Sequence, residues 1–316
     1  MTTLAAIEAA AARMAGHVRR TPLLHAPLLD RIAGRRVLVK AECLQVTGSF
    51  KARGGWAAVS ALPPGAGVLA MSSGNHAQGV AFAAAAHGVP AVILMPADAP
   101  AVKIANTRAY GAEVVLYDRA TEDRDALAAR LSGDRGLTLV PPFDHPEVIA
   151  GQGTVGLELA GQVPAAAADV LVPCGGGGLS AGIAVALAAR APALRLRTVE
   201  PAGFDDMARS LAAGRPLRNP AATGSVCDAI LTPAPGRLTL PVLQALAGPG
   251  LAVTDEQALR AVALAFTHLR VVAEPGGAVA LAAALFAPDL GDTVVCVLSG
   301  GNVDPGLFAE TLARFG

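Results

Sequence analysis

The sequence is best understood from one stretch, Thr47-Gly48-Ser49-Phe50-Lys51-Ala52-Arg53-Gly54-Gly55. It contains one of only three lysines in the chain, the others being Lys40 and Lys103. Its flanking glycines predict a turn that leads into a helix. A lysine amine forms a Schiff base with an aldehyde, and it becomes a useful nucleophile when its surroundings lower its pKa. Lys51 is therefore the first candidate for a catalytic residue.

The composition describes an ordinary globular protein. The chain has 316 residues, of which 53% are hydrophobic, and this is ample for a buried core. Its 25 basic residues are balanced by 25 acidic ones, and no long basic run occurs. This balance argues against binding to nucleic acid or to an anionic membrane, so a small molecule is the expected partner.

The cysteines indicate a reducing compartment. They lie far apart and form no CxxC pair, which predicts neither a zinc site nor a disulfide framework, and we expect a cytoplasmic protein. They are Cys43, Cys174, Cys227 and Cys296. The one uncharged run long enough to cross a bilayer, residues 170–189, contains Pro173 and four glycines. Such a run favours a strand, a turn and a helix over a membrane span.

Apolar strands alternate with helix-forming segments along most of the chain. We expect strands at 37–39, 68–70, 91–95, 114–117, 137–140, 170–172, 195–199 and 293–298. Strands spaced by helices of about ten residues are typical of βαβ units and a parallel sheet. The prolines Pro141 and Pro142 interrupt the pattern, which predicts two α/β lobes with a ligand at the carboxyl ends of their strands.

A run of four glycines is the most informative turn. Gly175, Gly176, Gly177 and Gly178 lie between the strand at 170–172 and a predicted helix. Free amides at a helix start form a cradle for an anion. No lysine follows as it does in a P-loop, so the expected anion is a phosphate without a nucleoside triphosphate. A tight turn that needs small residues is the alternative.

A second glycine pattern, Gly151-Gln152-Gly153-Thr154-Val155-Gly156, matches GxGxxG. Only three apolar residues precede it after Pro146, which is too short a strand for a dinucleotide fingerprint. We interpret it as the start of a helix. A dehydrogenase that uses this motif is the corresponding rival.

A Schiff-base lysine together with a phosphate cradle points to pyridoxal phosphate, whose aldehyde bonds to lysine. The chain resembles the fold type II pyridoxal-phosphate enzymes, specifically the serine/threonine dehydratase and serine racemase family. The resemblance covers nearly the whole chain. It rests on five motifs in order, at residues 49–54, 72–76, 175–178, 199–201 and 299–302.

The resemblance implies an architecture. It is an α/β fold of two doubly wound lobes, as in the tryptophan synthase β subunit, with the cofactor in the cleft between them. The large domain would comprise residues 1–66 and 138–316, and the small domain residues 67–137. A homodimer is the family expectation.

The resemblance also implies roles for the cofactor-binding residues. Lys51 would form the Schiff base and remove the Cα proton, while Phe50 would contact the cofactor ring. Asn75 would bind the phenolic oxygen and Ser299 the pyridine nitrogen. A neutral hydroxyl at that nitrogen favours a short-lived carbanion that expels a β-leaving group. The phosphate would be held by Gly175, Gly176, Gly177 and Gly178 with the Leu179 amide.

The segment at 72–76 is the expected substrate site. A turn at a helix N-terminus suits a substrate carboxylate, and the candidates are Ser72, Ser73, Asn75 and His76. His76 acts as a general base or, in the interpretation we favour, as a positioning residue. Ser73 permits racemisation, because racemases of the family have serine there and need acid–base groups on both faces. A serine that caps the following helix is the alternative.

An acidic turn resembles the family's cation site. Glu200, the Phe204 carbonyl and Asp206 would bind Mg²⁺ or Ca²⁺, which prefer oxygen ligands. A solvated acidic turn is the alternative. One departure from the family is Ala229, where racemases and many dehydratases have glycine, and this puts the subgroup in doubt.

The expected activity is that of a pyridoxal-phosphate-dependent dehydratase, an ammonia-lyase. It would eliminate water from L-threonine or L-serine and release a 2-oxo acid and ammonia. A 3-hydroxyaspartate dehydratase or a serine racemase is the nearest alternative. The second carboxylate of hydroxyaspartate needs a cation, for which Arg124 and Arg135 are candidates. A non-catalytic protein that binds a phosphate ligand is the alternative of another class.

Overall fold

The computed structural model describes residues 2–99 and 101–316. Its strands are β1 (Leu23–His25), β2 (Arg36–Ala41), β3 (Gly67–Met71), β4 (Ala91–Pro96), β5 (Glu113–Tyr117), β6 (Leu137–Leu139), β7 (Ala168–Pro173), β8 (Leu194–Pro201), β9 (Leu251–Val253) and β10 (Thr293–Leu298). Its helices are α1 (Leu4–Met14), α2 (Pro27–Ala33), α3 (Lys51–Val59), α4 (Asn75–His87), α5 (Ala101–Ala109), α6 (Arg124–Arg135), α7 (Pro146–Gln162), α8 (Gly178–Arg190), α9 (Asp206–Ala213), α10 (Thr239–Leu246), α11 (Asp255–Leu264), α12 (Pro275–Phe286) and α13 (Pro305–Phe315).

The strands form two sheets, and the predicted α/β fold is confirmed. The larger sheet has the order β1-β2-β10-β7-β8-β9, and the smaller has the order β5-β4-β3-β6. All neighbouring strands are parallel except the antiparallel pair β1 and β2. Strands β7 and β10 are almost wholly buried, which explains why they are continuous apolar runs in the sequence.

The two shortest strands of the larger sheet were not predicted. Both β1 and β9 have three residues and lie at its edges, so neither carries a long apolar run. In the smaller sheet, β6 pairs with β3 through residues 137–139. The division into a large domain of residues 1–66 and 138–316 and a small domain of residues 67–137 stays a prediction.

The GxGxxG motif does not start a helix, so that prediction is wrong. The motif lies inside α7, which begins at Pro146. Its glycines are needed because neighbouring helices approach closely. A Cβ at Gly151 would lie 2.6 Å from the carbonyl oxygen of Arg53, and one at Gly153 would lie 2.9 Å from that of Gly182. No strand leads into the motif, which removes the basis for a dinucleotide site.

Glycines also allow a close approach between α3 and α4, on the side of α3 opposite to α7. A Cβ at Gly55 would lie 2.5 Å from the carbonyl oxygen of Gly79 in α4. A Cβ at Gly79 would lie 2.6 Å from the carbonyl oxygen of Lys51. The backbones of α3, α4 and α7 are therefore in direct contact, and Lys51 stands at the end of α3 where they meet.

A buried group of charges fastens α3 to β2 and α7. The Arg53 guanidinium donates to Glu42 at 2.8 Å and to Glu158 at 2.7 Å. Lys40 pairs with the other oxygen of Glu158 and donates to the Thr21 carbonyl at 2.8 Å. Each charge thus has an opposite partner and further hydrogen bonds, which buried charges require.

Within the described ranges, no helix combines the length and the apolar character needed to cross a bilayer.

We expect Gly153→Ala and Gly161→Ala to change stability in opposite directions, although both glycines lie in α7. A Cβ at Gly161 has only Arg20 nearby, at 3.9 Å, so alanine there should stabilise by up to about 1 kcal/mol through helix propensity. A Cβ at Gly153 meets Ile7 at 2.7 Å and the Gly182 backbone, which should cost about 1–3 kcal/mol. Urea unfolding of both variants measures the difference. Equal midpoints would contradict the close packing.

Candidate active site

One cavity, of about 220 Å³, brings the predicted site residues together. It lies where strands of both sheets end, at β3, β7 and β10, beside the start of α3. Its wall includes every predicted residue for the cofactor and the substrate: Phe50, Lys51, Ser72, Ser73, Asn75, His76, Gly175, Gly176, Gly177, Gly178, Leu179 and Ser299. The predicted cation ligands lie elsewhere.

Lys51 is the first residue of α3, and its amine projects into the cavity wall. Nζ donates to the Pro142 carbonyl at 2.6 Å and lies 5.1 Å from the centre of the Phe50 ring. Burial lowers the pKa of Lys51 to about 8, and the charge of Glu274 opposes this shift only in part. A larger fraction of the amine is consequently uncharged near neutral pH than in a free lysine.

The turn before Lys51 is tied to the turn after β10. Ser49 forms an antiparallel bridge with Gly300, and the Phe50 amide donates to the Ser299 carbonyl at 3.1 Å. Gly48, with φ +73, accepts from the Gly301 amide at 2.8 Å. These bonds place Ser299 beside the lysine segment although 248 positions separate Ser299 from Lys51 in the sequence.

The tetraglycine turn leaves its amides available. None of the amides from Gly175 to Leu179 donates a hydrogen bond within the part of the chain that the structure describes. A Cβ at Gly176 would overlap the Phe143 ring, and Gly177 has φ +90. The Thr239 hydroxyl fixes the turn by donating to the Gly176 carbonyl at 2.6 Å. Unsatisfied amides at the start of α8 fit a phosphate group.

The Asn75 side chain has a defined orientation. The Thr47 carbonyl can only accept, so the Asn302 nitrogen that contacts it at 2.9 Å is a donor. The same nitrogen donates to Asn75 Oδ1 at 2.6 Å. Asn75 Nδ2 therefore faces the other way and donates to Glu274 at 2.6 Å. Its second hydrogen stays available for a ligand.

His76 is buried and uncharged. Burial, with the nearby charge of Lys51, lowers its pKa to about 3. Its Nε2 donates to the Val140 carbonyl at 2.8 Å, since a carbonyl can only accept. Nε2 is thus not free to act as a base, and the lone pair lies on Nδ1, which is buried without a partner among the described residues. The lowered pKa makes Nδ1 a weak base, and this supports the positioning role that we favour for His76.

The two serines of the same turn differ in their contacts. Ser72 accepts from the Gly74 amide at 3.2 Å. Ser73 lines the cavity, and it does not cap α4, because the N-cap residue is Gly74 and no side chain accepts from the helix amides. The alternative of a capping serine is therefore wrong. The Ser73 hydroxyl is left for a ligand in the cavity.

The predicted cation site is not solvated. Glu200 and Asp206 are 0% and 1% exposed, and Phe204 is buried, so a solvated acidic turn is wrong. The Glu200 oxygens accept from the amides of Met207 at 3.0 Å and Ala208 at 2.7 Å. Burial raises the pKa of Glu200, and raises that of Asp206 to about 6. No positive group offsets the burial of Glu200, and the charge of Arg209 opposes the shift of Asp206 only in part, so a cation fits between them.

The cation site would nevertheless be a sparse one. Asp206 Oδ1 accepts from Asn219 at 2.6 Å, and Oδ2 is buried without a donor. Across residues 2–99 and 101–316, no three His, Cys, Asp or Glu side chains are grouped as a metal cluster. The ligands would have to be Glu200, Asp206, the Phe204 carbonyl and water.

Neither arginine suggested for a second substrate carboxylate lines the cavity. Arg124 pairs with Asp125, and Arg135 pairs with Glu113, all of them at the surface. Lys103 does line the cavity and is 3.1 Å from Asp228. Since it is one of three lysines in the chain, its rarity could have singled it out.

Sequence reasoning also missed Glu274. This residue lines the cavity, is 5% exposed and binds Asn75. The only signal was an acidic residue before Pro275 and two glycines at a helix start, which normally indicates a cap.

The comparisons with known proteins agree with this site. The family model described as pyridoxal-phosphate dependent enzyme matches residues 14–300. The crystal structure of a threonine deaminase from T.th. is 47% identical, with a TM-score of 0.90 over 96% of this chain and 99% of that chain. An L-threo-3-hydroxyaspartate ammonia-lyase of a Pseudomonas species is 41% identical over 96% of both chains. A serine racemase of Oryza sativa subsp. indica is 39% identical over 98% of this chain and 93% of its own length. The chain belongs to the pyridoxal-phosphate-dependent enzymes of fold type II.

Proposed function

We propose that this protein is a dehydratase that eliminates water from a small β-hydroxy-α-amino acid and releases a 2-oxo acid and ammonia. L-Threonine and L-serine are the first substrates. The observation that carries the proposal is that the Lys51 amine, with its lowered pKa, shares one cavity with the unsatisfied amides of the tetraglycine turn. The threonine deaminase and ammonia-lyase relatives support this reaction class.

The chain's own residues divide the work. When bound, pyridoxal phosphate supplies an electron sink that acidifies the substrate Cα–H bond. Lys51 would hold the cofactor by its aldehyde, and its Nζ would afterwards take the Cα proton. The amides of residues 175–179 would hold the phosphate, and Phe50 would contact the ring. Asn75 would donate to the phenolic oxygen, and the Ser299 hydroxyl would meet the ring nitrogen.

The turn at 72–76 binds the substrate. The start of α4 offers unsatisfied amides and a positive helix end to the α-carboxylate, and Ser72, Asn75 and the neutral His76 orient it. The Ser73 hydroxyl is available to move a proton on the second face of Cα. With Ser73 in that role the same site racemises serine, as the serine racemase relatives do.

A second candidate is a 3-hydroxyaspartate dehydratase, which the position of Lys103 favours. Lys103 lines the cavity, and its partner Asp228 has a side chain that is 66% exposed, so their ion pair is weak. A second substrate carboxylate could replace Asp228 as the partner. The ammonia-lyase of the Pseudomonas species acts on such a substrate.

One experiment tests these candidates together. The purified protein is given L- and D-serine, L- and D-threonine and the 3-hydroxyaspartate isomers, and keto acid, ammonia and product chirality are measured. A preparation that is colourless with pyridoxal phosphate and releases no keto acid from any of them would leave only the non-catalytic phosphate-binding protein.

We also propose a cytoplasmic homodimer. All four cysteines of the described chain are free and buried, which suits a reducing compartment. The dimer follows the family expectation, and the exposed large apolar side chains, among them Leu44, Phe266 and Val272, are candidates for its interface. Each subunit is proposed to consist of a large domain of residues 1–66 and 138–316 and a small domain of residues 67–137.

Lys51→Ala should abolish turnover, lowering kcat by at least about 10³-fold, because it removes the amine that would hold the cofactor aldehyde and take the Cα proton. The other lysine of the cavity wall, Lys103, is paired with Asp228 at 3.1 Å. The visible absorbance of the bound cofactor should disappear at the same time. Arg215→Ala, at an exposed position outside the cavity, is the matched control and should keep both. Appreciable turnover by the lysine variant would refute the role of Lys51.

Capture of pyridoxal phosphate by the cofactor-free protein should depend on pH through Lys51. The uncharged amine reacts, so the rate should rise with pH and be half-maximal near pH 8, since burial lowers the pKa of Lys51 to about 8. Stopped-flow absorbance measures the rate, and N-α-acetyl-lysine is the solution control. A midpoint near that of the control, about 10.4, would contradict the shifted pKa.

Removal of divalent cations should lower thermal stability. A cation held by Glu200 and Asp206 at about 100 times its dissociation constant contributes about 2.7 kcal/mol. Excess chelator should therefore lower the melting temperature, and added Mg²⁺ or Ca²⁺ should restore it. Asp206→Asn should melt at one temperature with or without chelator. An unchanged melting curve of the unmodified protein in chelator would count against this site.

A further inference from the structure

Glu274 is a buried acid whose position has no purely structural reason. It is the residue before α12, yet its side chain makes no capping bond to the amides of that helix. Its carboxylate instead forms part of the cavity wall and accepts from Asn75 Nδ2 at 2.6 Å. A capping role would have satisfied the helix amides, so the acid serves the cavity rather than the helix.

Glu274 also fits closely against the turn after β10. Its amide donates to the Gly300 carbonyl at 3.0 Å, and a Cβ at Gly300 would overlap its Oε1. The carboxylate is therefore held over the turn that contains Ser299. The Glu274 backbone is fixed by its bond to Gly300, and the carboxylate is placed by the hydrogen bond from Asn75.

Two anchors set the direction of Asn75. Asn302 donates to its oxygen at 2.6 Å, and Glu274 accepts from its nitrogen. An amide turned the other way would place its NH₂ against the NH₂ of Asn302 and its oxygen against the carboxylate of Glu274. Both contacts would be repulsive, so the second hydrogen of Asn75 is kept directed to the cavity.

Burial and the charges around Glu274 act on its pKa, some raising it and others lowering it. Burial raises the pKa of Glu274 to about 7, and the nearby Asp228 carboxylate acts in the same direction. The hydrogen bond from Asn75 and the charges of Lys103 and Lys51 act in the opposite direction. These groups belong to the start of α4, to α5, to the start of α3 and to the turn at residues 228–230.

We propose that Glu274 is a positioning residue that, together with Asn302, fixes the Asn75 amide as a donor to the phenolic oxygen of the cofactor. The inference rests on the proposed role of Asn75 in cofactor binding. Glu274 acts through Asn75 and not on the substrate. The acid is therefore required for tight and correctly oriented cofactor binding, and its charge sets how the bound cofactor responds to pH.

Binding of pyridoxal phosphate to the purified full chain tests this role without turnover. Glu274→Gln keeps an acceptor oxygen of the same shape, so the dissociation constant should stay within about threefold of the unmodified protein. Glu274→Ala removes the acceptor and should weaken binding by about tenfold, which corresponds to about 1.4 kcal/mol. Glu256→Gln, at an exposed position in α11, is the matched control and should change nothing.

A pH titration of the visible absorbance separates positioning from a structural effect. The unmodified protein and Glu256→Gln should show a transition as Glu274 ionises, because its carboxylate accepts the hydrogen bond from Asn75. Glu274→Gln should lack that transition while it still binds the cofactor. Asn302→Ala removes the other anchor of Asn75 and should weaken binding like Glu274→Ala, so it serves if the latter does not fold.

The outcomes distinguish this inference from the proposed function. An unmodified protein that binds no pyridoxal phosphate would overturn the proposed function itself. Normal binding by the unmodified protein together with unchanged affinity in Glu274→Ala or Asn302→Ala would overturn the role of Glu274 alone. A transition that persists in Glu274→Gln would also overturn it.

Discussion

The close approach of helix backbones around α3 is the constraint on which the site depends. Lys51 is the first residue of α3, and its carbonyl oxygen lies where a side chain at Gly79 would have to be. On the opposite side, Gly151 brings α7 against the Arg53 carbonyl. The buried charges of Arg53, Glu42 and Glu158 add a second fastening. The backbone of Lys51 is therefore held rigidly, and only its side chain extends towards the cavity.

The remaining parts of the site come from distant segments of the chain. The cavity combines the turn before α3, the start of α4, the tetraglycine turn and the turn after β10. Parallel strands make this possible, because their carboxyl ends meet at one edge of each sheet. Hydrogen bonds between turns then set the details, as the chain from Thr47 through Asn302 and Asn75 to Glu274 illustrates.

Much of this arrangement could be predicted from the sequence, for physical reasons. Buried parallel strands such as β7 and β10 must be apolar throughout, and glycine-rich turns beside them mark ligand contacts, so the fold class and the segments around Lys51 and Gly175 were recognisable. The role of the glycines in α7 could not be predicted, because a glycine that allows a neighbouring helix to approach and a glycine that starts a helix look alike in sequence. Glu274 was missed because an acid before a proline resembles a cap. The burial of Glu200 depends on packing that no local pattern encodes.

The position of β10 limits when the larger sheet can fold during synthesis of the chain. This strand is the last of the described strands in sequence, yet it lies between β2 and β7 in the larger sheet, with Cys296 beside both Val39 and Leu171. A nascent chain on the ribosome therefore cannot join its early and middle strands until about residue 298 has emerged. The turn that holds Ser299 arrives with it, as does the bridge from Gly300 to Ser49. Cofactor binding is thereby coupled to synthesis of this segment, and a truncated product that lacks it would have neither a continuous sheet nor a site.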